Sequence, residues 1–226
     1  MKIIKPSYEI LTPISDGGIK ELQHIEKIGR VCYKSEDRIT EDGESAKKFV
    51  KMLISNGHEA MIEHSSLSVK FVVDRGVSHE LVRHRIASFA QESTRYCNYS
   101  KDKFNNEINV IDITDGIALD TKMKKMTVGE ISEIITEWFR AIEDAEKHYM
   151  RMIELGATPQ IARSVLPIST KTEITITANY REWRNFFKLR TAEAAHPQMR
   201  EITIPLLKEL KTLIPIIFDD IEVEDE

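Results

Sequence analysis

The chain has 226 residues, 41% of them hydrophobic, and a formal net charge of −5, which suits a globular domain with its own core. An acidic total argues against broad nucleic-acid binding, which needs a basic face. No apolar run reaches the roughly 18 residues of a membrane helix, and the N-terminus lacks the apolar region of a signal peptide.

The first half of the chain is predicted to alternate helices with one clear strand. Apolar residues at helical spacing predict amphipathic helices over 18–33 and 44–56. Strict alternation of apolar and polar residues predicts a half-buried strand over 66–74. A further helix is predicted over 77–87, directly after that strand.

The second half begins with a polar, irregular segment over 98–128, in which a short strand is predicted near 108–113. The remaining predicted elements are a long helix over 128–155, a helix that starts at Thr158-Pro159, a strand over 172–178, and two helices over 181–193 and 198–213. Separated strands among many helices predict an α+β (mixed α/β) fold. We expect a single domain over 1–226, with a central, largely antiparallel sheet flanked by helices.

Two cysteines, Cys32 and Cys97, are too few for a disulfide framework and form no CxxC zinc pattern. This usage predicts a reducing compartment, the cytoplasm. Cys97 follows the basic residue Arg95 closely, and a nearby cation lowers a thiol pKa. A nucleophilic role for Cys97 is one interpretation, although no base for it can be identified.

One short segment concentrates basic and hydroxyl side chains: Arg83, His84, Arg85, Ser93 and Arg95. On a helix over 77–87, Arg85 would fall among the apolar residues and Arg83 on the other side, so the two should serve different partners. A partly buried guanidinium needs an anion or several acceptors. The alternative is a solvated helix end with an ion pair to Glu80.

A second segment, REWRNFFKLR (181–190), places an arginine within an aromatic stripe. On a helix, Arg190 projects into the arc formed by Trp183, Phe186 and Phe187. Arg190 could then serve as a C-terminal cap or make a cation–π contact. It could equally be a charge held in a dry pocket for a ligand, while Arg181 and Asn185 share a different face.

The segment GHEAMIEH (57–64) is only superficially similar to a zinc-protease motif. HExxH requires histidines four apart on one helical face, whereas His58 and His64 are six apart. Packing or hydrogen-bonding roles are therefore favoured over metal binding for both residues. The sequence also lacks GxGxxG and GxxxxGK[ST], so no Rossmann or Walker loop holds a nucleotide.

Together these segments resemble the flavin-dependent thymidylate synthases. The order RHR, seven residues, S, one residue, R over 83–95 reproduces the family's signature. GHEAMIEH, IARSVLP (161–167) and NYREWRNFFKLR (179–190) are similar to three other segments of the family, so the resemblance extends over most of the chain.

The resemblance implies an enzyme that reductively methylates dUMP to dTMP. FAD would be the cofactor, 5,10-methylenetetrahydrofolate the carbon donor and NADPH the reductant. It also implies a cytoplasmic homotetramer of α/β subunits with active sites shared between chains, acting on a small molecule and not on nucleic acid or membranes. Assembly at an interface would explain how a chain without a dinucleotide loop binds a dinucleotide.

The resemblance also implies roles for individual residues. Arg190 would be the catalytic residue, in contact with the uracil ring. The residues implied to bind dUMP are Glu80, Leu81, Val82, Arg83, Gln91, Glu92, Ser93, Thr94, Arg95, Arg163 and Arg190. Those implied to bind FAD are His58, Ala60, Arg83, His84, Arg85, Gln91, Asn179, Tyr180, Arg181 and Asn185. No metal ligand is implied.

Some positions depart from the family pattern. Glu80 stands where many relatives have glutamine, Ala60 where a hydroxyl residue is frequent, and Gln91 where some have glutamate. Two additional residues separate Arg190 from His196, so a flavin contact by His196 is not assigned.

Two other classes of function stay open from the residues alone. A non-catalytic nucleotide- or phosphate-binding module would be colourless and would not turn over. A metal-dependent hydrolase built on His58, His64 and His79 would carry bound zinc.

Overall fold

The computed structural model describes residues 1–101 and 105–223. Its strands are β1 (Lys2–Ile4), β2 (Ser7–Ile10), β3 (Ser66–Asp74), β4 (Ala87–Gln91), β5 (Asn109–Ile111) and β6 (Lys171–Asn179). Its α-helices are α1 (Ile19–Tyr33), α2 (Glu44–Ser55), α3 (Arg75–Leu81), α4 (Thr114–Leu119), α5 (Val128–Glu154), α6 (Pro159–Ala162), α7 (Tyr180–Arg190) and α8 (Pro197–Leu213). The fold is mixed α+β, as predicted.

The main sheet has four strands in the order β2-β3-β6-β4. Strands β3 and β6 run antiparallel, because the Tyr180 amide donates to the Ser65 carbonyl at one end and the Arg75 amide donates to the Ile168 carbonyl at the other. The predicted antiparallel sheet is thereby confirmed. A separate parallel pair joins β1 to β5, with Lys2 opposite Asn109.

The described chain groups into two compact units. Unit 1 comprises Met1–Ser7, Phe71–Arg83 and Ala90–Thr175, and unit 2 comprises Tyr8–Lys70, His84–Phe89 and Ile176–Glu226. The single domain expected over 1–226 stays a prediction. Among the described residues, no helix is both long and apolar enough to cross a lipid bilayer.

Unit 1 is built around α5, which matches the predicted helix over 128–155. The helix begins at a capping box, in which Thr127 accepts from the Glu130 amide and Glu130 accepts from the Thr127 amide. Its second half packs into a core of Tyr99, Ile108, Val110, Ile142, Tyr149 and Ala162. The long helix therefore owes its stability to one buried end rather than to its full length.

Unit 2 has an aromatic core around α7. Trp183 is 1% exposed, and its indole Nε1 donates to the Leu67 carbonyl at 2.9 Å. Trp183 stacks on Phe187 at 5.7 Å, and Phe187 meets Phe218 edge to face at 5.5 Å. These contacts fix the rotation of α7 about its axis, which determines where its polar side chains point.

The predicted helix over 77–87 is wrong in its second half. Helix α3 starts at an Asp74 cap, whose carboxylate accepts from the Val77 amide at 2.6 Å, and it ends at Leu81. Residues 87–91 instead form β4 and pair with β6. Because the helix ends at Leu81, before Arg83 and Arg85, the helical projection of these two side chains does not apply.

The segment over 98–128 is more ordered than predicted. Its expected strand is present as β5, but α4 and a short 3-10 turn at Met123–Lys125 were not predicted. Part of this segment, 102–104, lies outside the described residues. Strands β1 and β2 were also not predicted, because they are too short for alternation to be recognised.

Candidate active site

The basic segment RHR forms the connection between α3 and β4. His84 is buried at 6% exposure, whereas Arg83 and Arg85 are exposed. The expectation of a partly buried Arg85 is therefore wrong. The chain buries the imidazole between two solvent-facing guanidinium groups, which agrees with the higher desolvation cost of a permanently charged side chain.

Unit 2 contains a cavity of about 480 Å³ beside this connection. Its lining includes four of the residues predicted to bind FAD, namely Arg85, Asn179, Arg181 and Asn185. The other lining residues are Glu59, Glu63, Ile86, Glu182 and Lys188. Residues that the sequence separates by about a hundred positions thus share one cavity, and three cations with two amides suit a pyrophosphate and a polar heterocycle.

The cavity lining carries as many carboxylates as cations, since Glu59, Glu63 and Glu182 stand against Arg85, Arg181 and Lys188. Arg181 pairs with Glu63 and lies 3.9 Å from a carboxylate oxygen of Glu59. The hydrogen bond that Arg181 donates to Glu63, with the charges of both carboxylates, raises the pKa of Arg181. An anionic ligand that engages Arg181 must therefore compete with Glu63.

A buried imidazole joins the cavity to Arg190. The guanidinium Nε of Arg190 donates to Nε2 of His84 at 2.9 Å, and Nδ1 of His84 lies 3.1 Å from a carboxylate oxygen of Glu182. Burial lowers the pKa of His84, and the Arg190 charge acts in the same direction, against the raising effect of Glu182. The imidazole is therefore held in its neutral form.

Helix α7 carries both ends of this arrangement. It is capped by Asn179, whose side-chain oxygen accepts from the Glu182 amide at 2.9 Å, and it ends at Arg190. The Thr203 hydroxyl donates to the Arg190 carbonyl at 2.9 Å. The ring of Phe186 meets His84 edge to face at 4.9 Å, so the aromatic stripe of α7 does adjoin Arg190's partner.

The predicted phosphate-binding residues lie in unit 1. Ser93 starts a turn in which its carbonyl accepts from the Tyr96 and Cys97 amides, and its hydroxyl accepts from the Arg95 amide at 3.3 Å. The guanidinium of Arg95 donates to Gln160 at 3.2 Å. Gln160 lies in α6, which ends one residue before Arg163. The Ser93 hydroxyl and the Arg95 side chain therefore belong to the same tight turn.

Arg163 is tied to this same turn. Its Nη1 donates to the Thr94 hydroxyl at 3.2 Å, and Thr94 is buried. Unit 1 therefore brings together four residues predicted to bind dUMP, listed in chain order as Ser93, Thr94, Arg95 and Arg163.

Glu92 and Gln91 have partners within unit 1. Lys171 lies 3.1 Å from Glu92 and also pairs with Glu173. Burial alone would lower the pKa of Lys171, but the two carboxylates raise it overall, so the ammonium stays charged and neutralises Glu92. The amide of Gln91 donates to Ser78 at 2.9 Å, which fixes the start of the loop that carries Ser93.

Other predicted residues occupy varied positions. Leu81 and Tyr180 are buried, Glu80 and Val82 are half-buried, and His58 and Ala60 are exposed. The His58 ring lies 3.2 Å from the Tyr33 hydroxyl. The described residues that line the unit 2 cavity do not include the other six residues predicted to bind FAD, namely His58, Ala60, Arg83, His84, Gln91 and Tyr180.

Five residues of the cavity lining were missed in the sequence, namely Glu59, Glu63, Ile86, Glu182 and Lys188. Glu182 carried a recognisable signal, because an acidic residue three positions after an Asn cap is typical of a helix start. Within the part of the chain that the structure describes, no group of three or more His, Cys, Asp or Glu side chains is arranged to hold a metal ion.

Comparisons with known sequences give a consistent match. A family model described as thymidylate synthase complementing protein (Thy1) matches residues 19–216. The flavin-dependent thymidylate synthase of Corynebacterium aurimucosum is 31% identical over 215 residues, covering 93% of this chain and 84% of the relative. That of Mycolicibacterium vanbaalenii is 30% identical over 200 residues, covering 88% and 79%.

A solved structure has the same fold. The crystal structure of the UMP/dUMP methylase PolB from Streptomyces cacaoi, bound with 5-Br dUMP, aligns with a TM-score of 0.78. The alignment covers 97% of this chain and 96% of the other at 22% sequence identity.

Proposed function

The chain belongs to the family of flavin-dependent thymidylate synthases, and on this premise we propose that it reductively methylates dUMP to dTMP in the cytoplasm. FAD is the proposed cofactor, 5,10-methylenetetrahydrofolate the carbon donor and NADPH the reductant. The observation that carries the proposal is the half-buried Arg190 at the end of α7, held by the neutral imidazole of His84.

The unit 2 cavity supports a flavin cofactor. Arg85, Arg181 and Lys188 supply positive charge, and Asn179 and Asn185 supply amides, the donor set that a pyrophosphate and an isoalloxazine edge require. Bound FAD would provide hydride-transfer chemistry, which protein side chains do not supply. The residues of α7 hold and orient the cofactor.

The size of the cavity bears on assembly. At about 480 Å³ it lies in the lower half of the range, about 300–1,000 Å³, that is usual for drug-sized ligands. FAD is larger than such ligands, so further surfaces must contribute to its binding. This supports the proposal of a homotetramer whose active sites are shared between chains.

The turn at Ser93 supports recognition of a nucleotide monophosphate. Within unit 1, the Arg163 guanidinium donates to the Thr94 hydroxyl, and the same turn carries the Ser93 hydroxyl and Arg95, whose guanidinium donates to Gln160. Guanidinium groups bind phosphate oxygens in pairs and remain charged at every physiological pH. They would bind the dUMP phosphate equally in the ground state and in the transition state.

Arg190 is proposed to act on the pyrimidine. A guanidinium beside the ring would stabilise negative charge that develops on the uracil oxygens during the reaction, and a preorganised one does so without reorganisation. Because Arg190 is held at its Nε by His84 and at its backbone by Thr203, little conformational freedom is lost on binding.

The direct test combines a spectrum with turnover. The purified protein should show flavin absorption at about 450 nm, the band of the isoalloxazine chromophore. With dUMP, NADPH and methylenetetrahydrofolate it should release tritium from [5-³H]dUMP and form dTMP. A colourless protein that binds dUMP without turnover would instead establish the nucleotide-binding module.

Assembly has a separate test. Sedimentation should give a mass near that of four chains. Dilution to protein concentrations at which the tetramer dissociates should release flavin and abolish activity. A monomer that turns over at the full rate would contradict shared sites.

A further inference from the structure

His84 is the most deeply buried ionisable side chain of the RHR segment, and it has a charged partner on each ring nitrogen. Glu182 lies at Nδ1 and Arg190 at Nε2, at 3.1 and 2.9 Å. The side chain of Glu182 is 11% exposed, so this contact is largely shielded from water. Nothing in the function proposed above assigns a role to Glu182.

The partners fix the protonation state of the ring. An arginine side chain has donors only, so Nε2 of His84 must offer its lone pair to Arg190. The single proton of the neutral ring is then on Nδ1 and is donated to the Glu182 carboxylate. An imidazolium, or the opposite tautomer, would place an N–H against the Nε–H of Arg190.

We propose that Glu182 is a positioning residue, which acts through the Nδ1–H tautomer of His84 to orient the guanidinium of Arg190. The inference rests on the proposed function in one respect, the role of Arg190 in the reaction. The series of contacts from Glu182 through His84 to Arg190 rests only on the two hydrogen bonds and on the burial of the imidazole between them.

The geometry of α7 explains why an intermediary is needed. Glu182 and Arg190 are eight positions apart, which is about 12 Å along a helix axis. His84, which approaches α7 from the connection after α3, fills the distance between them. The two contacts of His84 therefore couple Glu182, in the first turn of α7, to Arg190, its last residue. His84 itself lies outside the helix.

Glu182 is itself held in place. Its amide is bonded to the capping side chain of Asn179 at 2.9 Å, and its carboxylate oxygens lie 3.4 Å from the Asn185 amide nitrogen. A carboxylate in the first turn is also favoured by the helix dipole. Without Glu182 no acceptor holds the proton on Nδ1, and the Nε2–H tautomer can form and repel Arg190.

The test uses the intact protein and two substitutions. Glu182→Gln keeps an acceptor oxygen for Nδ1–H, whereas Glu182→Ala removes it. Histidine-selective ¹⁵N spectra, with the His84 signal assigned from a His84→Gln variant, report the tautomer without substrate or turnover. Steady-state tritium release reports kcat and KM, and the flavin absorption of each variant reports cofactor content.

The wild-type and Glu182→Gln proteins should carry the proton on Nδ1 and differ in kcat by less than about threefold. Glu182→Ala should shift the proton toward Nε2 and lower kcat at least about tenfold, the loss of one hydrogen bond to a charged group, with little change in KM for dUMP. The exposed Glu36, elsewhere in unit 2, provides a matched control in Glu36→Ala.

A wild-type His84 protonated on Nε2, or on both nitrogens, would overturn the inference, even if Glu182→Ala proved too unstable to study. So would a Glu182→Ala enzyme with wild-type kcat. Failure of the proposed function is distinguishable, because an Arg190→Ala enzyme with normal turnover would remove the role of Arg190 and leave the tautomer result unchanged.

Discussion

Arg184 and Asp220 form a bidentate ion pair, with Nη1 and Nη2 of the guanidinium 2.6 and 2.8 Å from the two carboxylate oxygens. The Arg184 side chain is 2% exposed and that of Asp220 is 49% exposed. Nε of Arg184 also donates to Glu59 at 3.1 Å. The pair therefore attaches the C-terminal segment to α7 through a buried cation.

This ion pair predicts a pH-dependent stability. Arg184 lowers the pKa of Asp220, so the pair stabilises the fold above the usual aspartate pKa and the stabilisation is lost as pH falls through the lowered value. Asp220→Asn should cost about 1 kcal/mol at pH 7, a value reduced for the exposure of the carboxylate. Denaturant unfolding at pH 7 and near pH 3 measures the difference.

The two proteins should approach equal stability as pH falls through the lowered pKa of Asp220, because Asp220 is then protonated in both the folded and the unfolded wild type. Asp37→Asn, at an exposed position, serves as the control. An Asp220→Asn penalty that is the same at both pH values would show that the ion pair does not cause it.

Arg190→Ala should lower kcat about a hundredfold, the cost of removing one preorganised donor. The flavin should remain bound, because the α7 residues of the cavity, Arg181 and Asn185, are unchanged. Tritium release from [5-³H]dUMP and the flavin band of the same preparation measure the two properties. Normal turnover with loss of flavin would instead make Arg190 a cofactor anchor.

Arg95→Ala should behave differently, because a phosphate contact is made in the ground state and the transition state alike. KM for dUMP should rise at least about tenfold with kcat changed much less. The matched variant Arg163→Ala should also raise KM and in addition free the Thr94 hydroxyl. A fall in kcat at saturating dUMP, with unchanged KM, would place Arg95 in the chemical step.

Glu63→Gln should tighten FAD binding about two- to fivefold, the usual range for an exposed ion pair. Glu63 pairs with Arg181 in the cavity and adds a negative charge where a pyrophosphate is proposed. Flavin titration of the apoprotein at low and high salt measures the effect, which should shrink as salt increases. Weaker binding by Glu63→Gln would mean that Glu63 holds Arg181 in its binding position.

Cysteine substitution should leave turnover intact. Cys32 is exposed, Cys97 is partly buried, and neither is disulfide-bonded. Cys97 contributes its backbone amide to the Ser93 turn, a contact that alanine preserves. The Cys32→Ala, Cys97→Ala double variant should therefore keep its kcat within about threefold. Lost turnover with normal flavin and dUMP binding would restore a thiol mechanism.

The sequence by itself determined the elements in which apolar residues repeat regularly over many consecutive positions. Helix α5 was predicted over 128–155 and lies at Val128–Glu154, and β3 lies at the predicted 66–74. Apolar residues repeated over many positions leave one burial pattern that satisfies them. Four of the ten residues that the resemblance implies to bind FAD line one cavity, namely Arg85, Asn179, Arg181 and Asn185, and their role in binding FAD stays a prediction.

Only the tertiary structure determined the conformation and the burial of the RHR segment. A helical period carried past Leu81 predicts a buried Arg85, but pairing of β4 with the sheet ends that period and buries His84. His84 and Arg190 are 106 positions apart, and no local pattern specifies such a contact. The imidazole is paired between Glu182 and Arg190 because a buried polar group must find partners wherever the packed chain provides them.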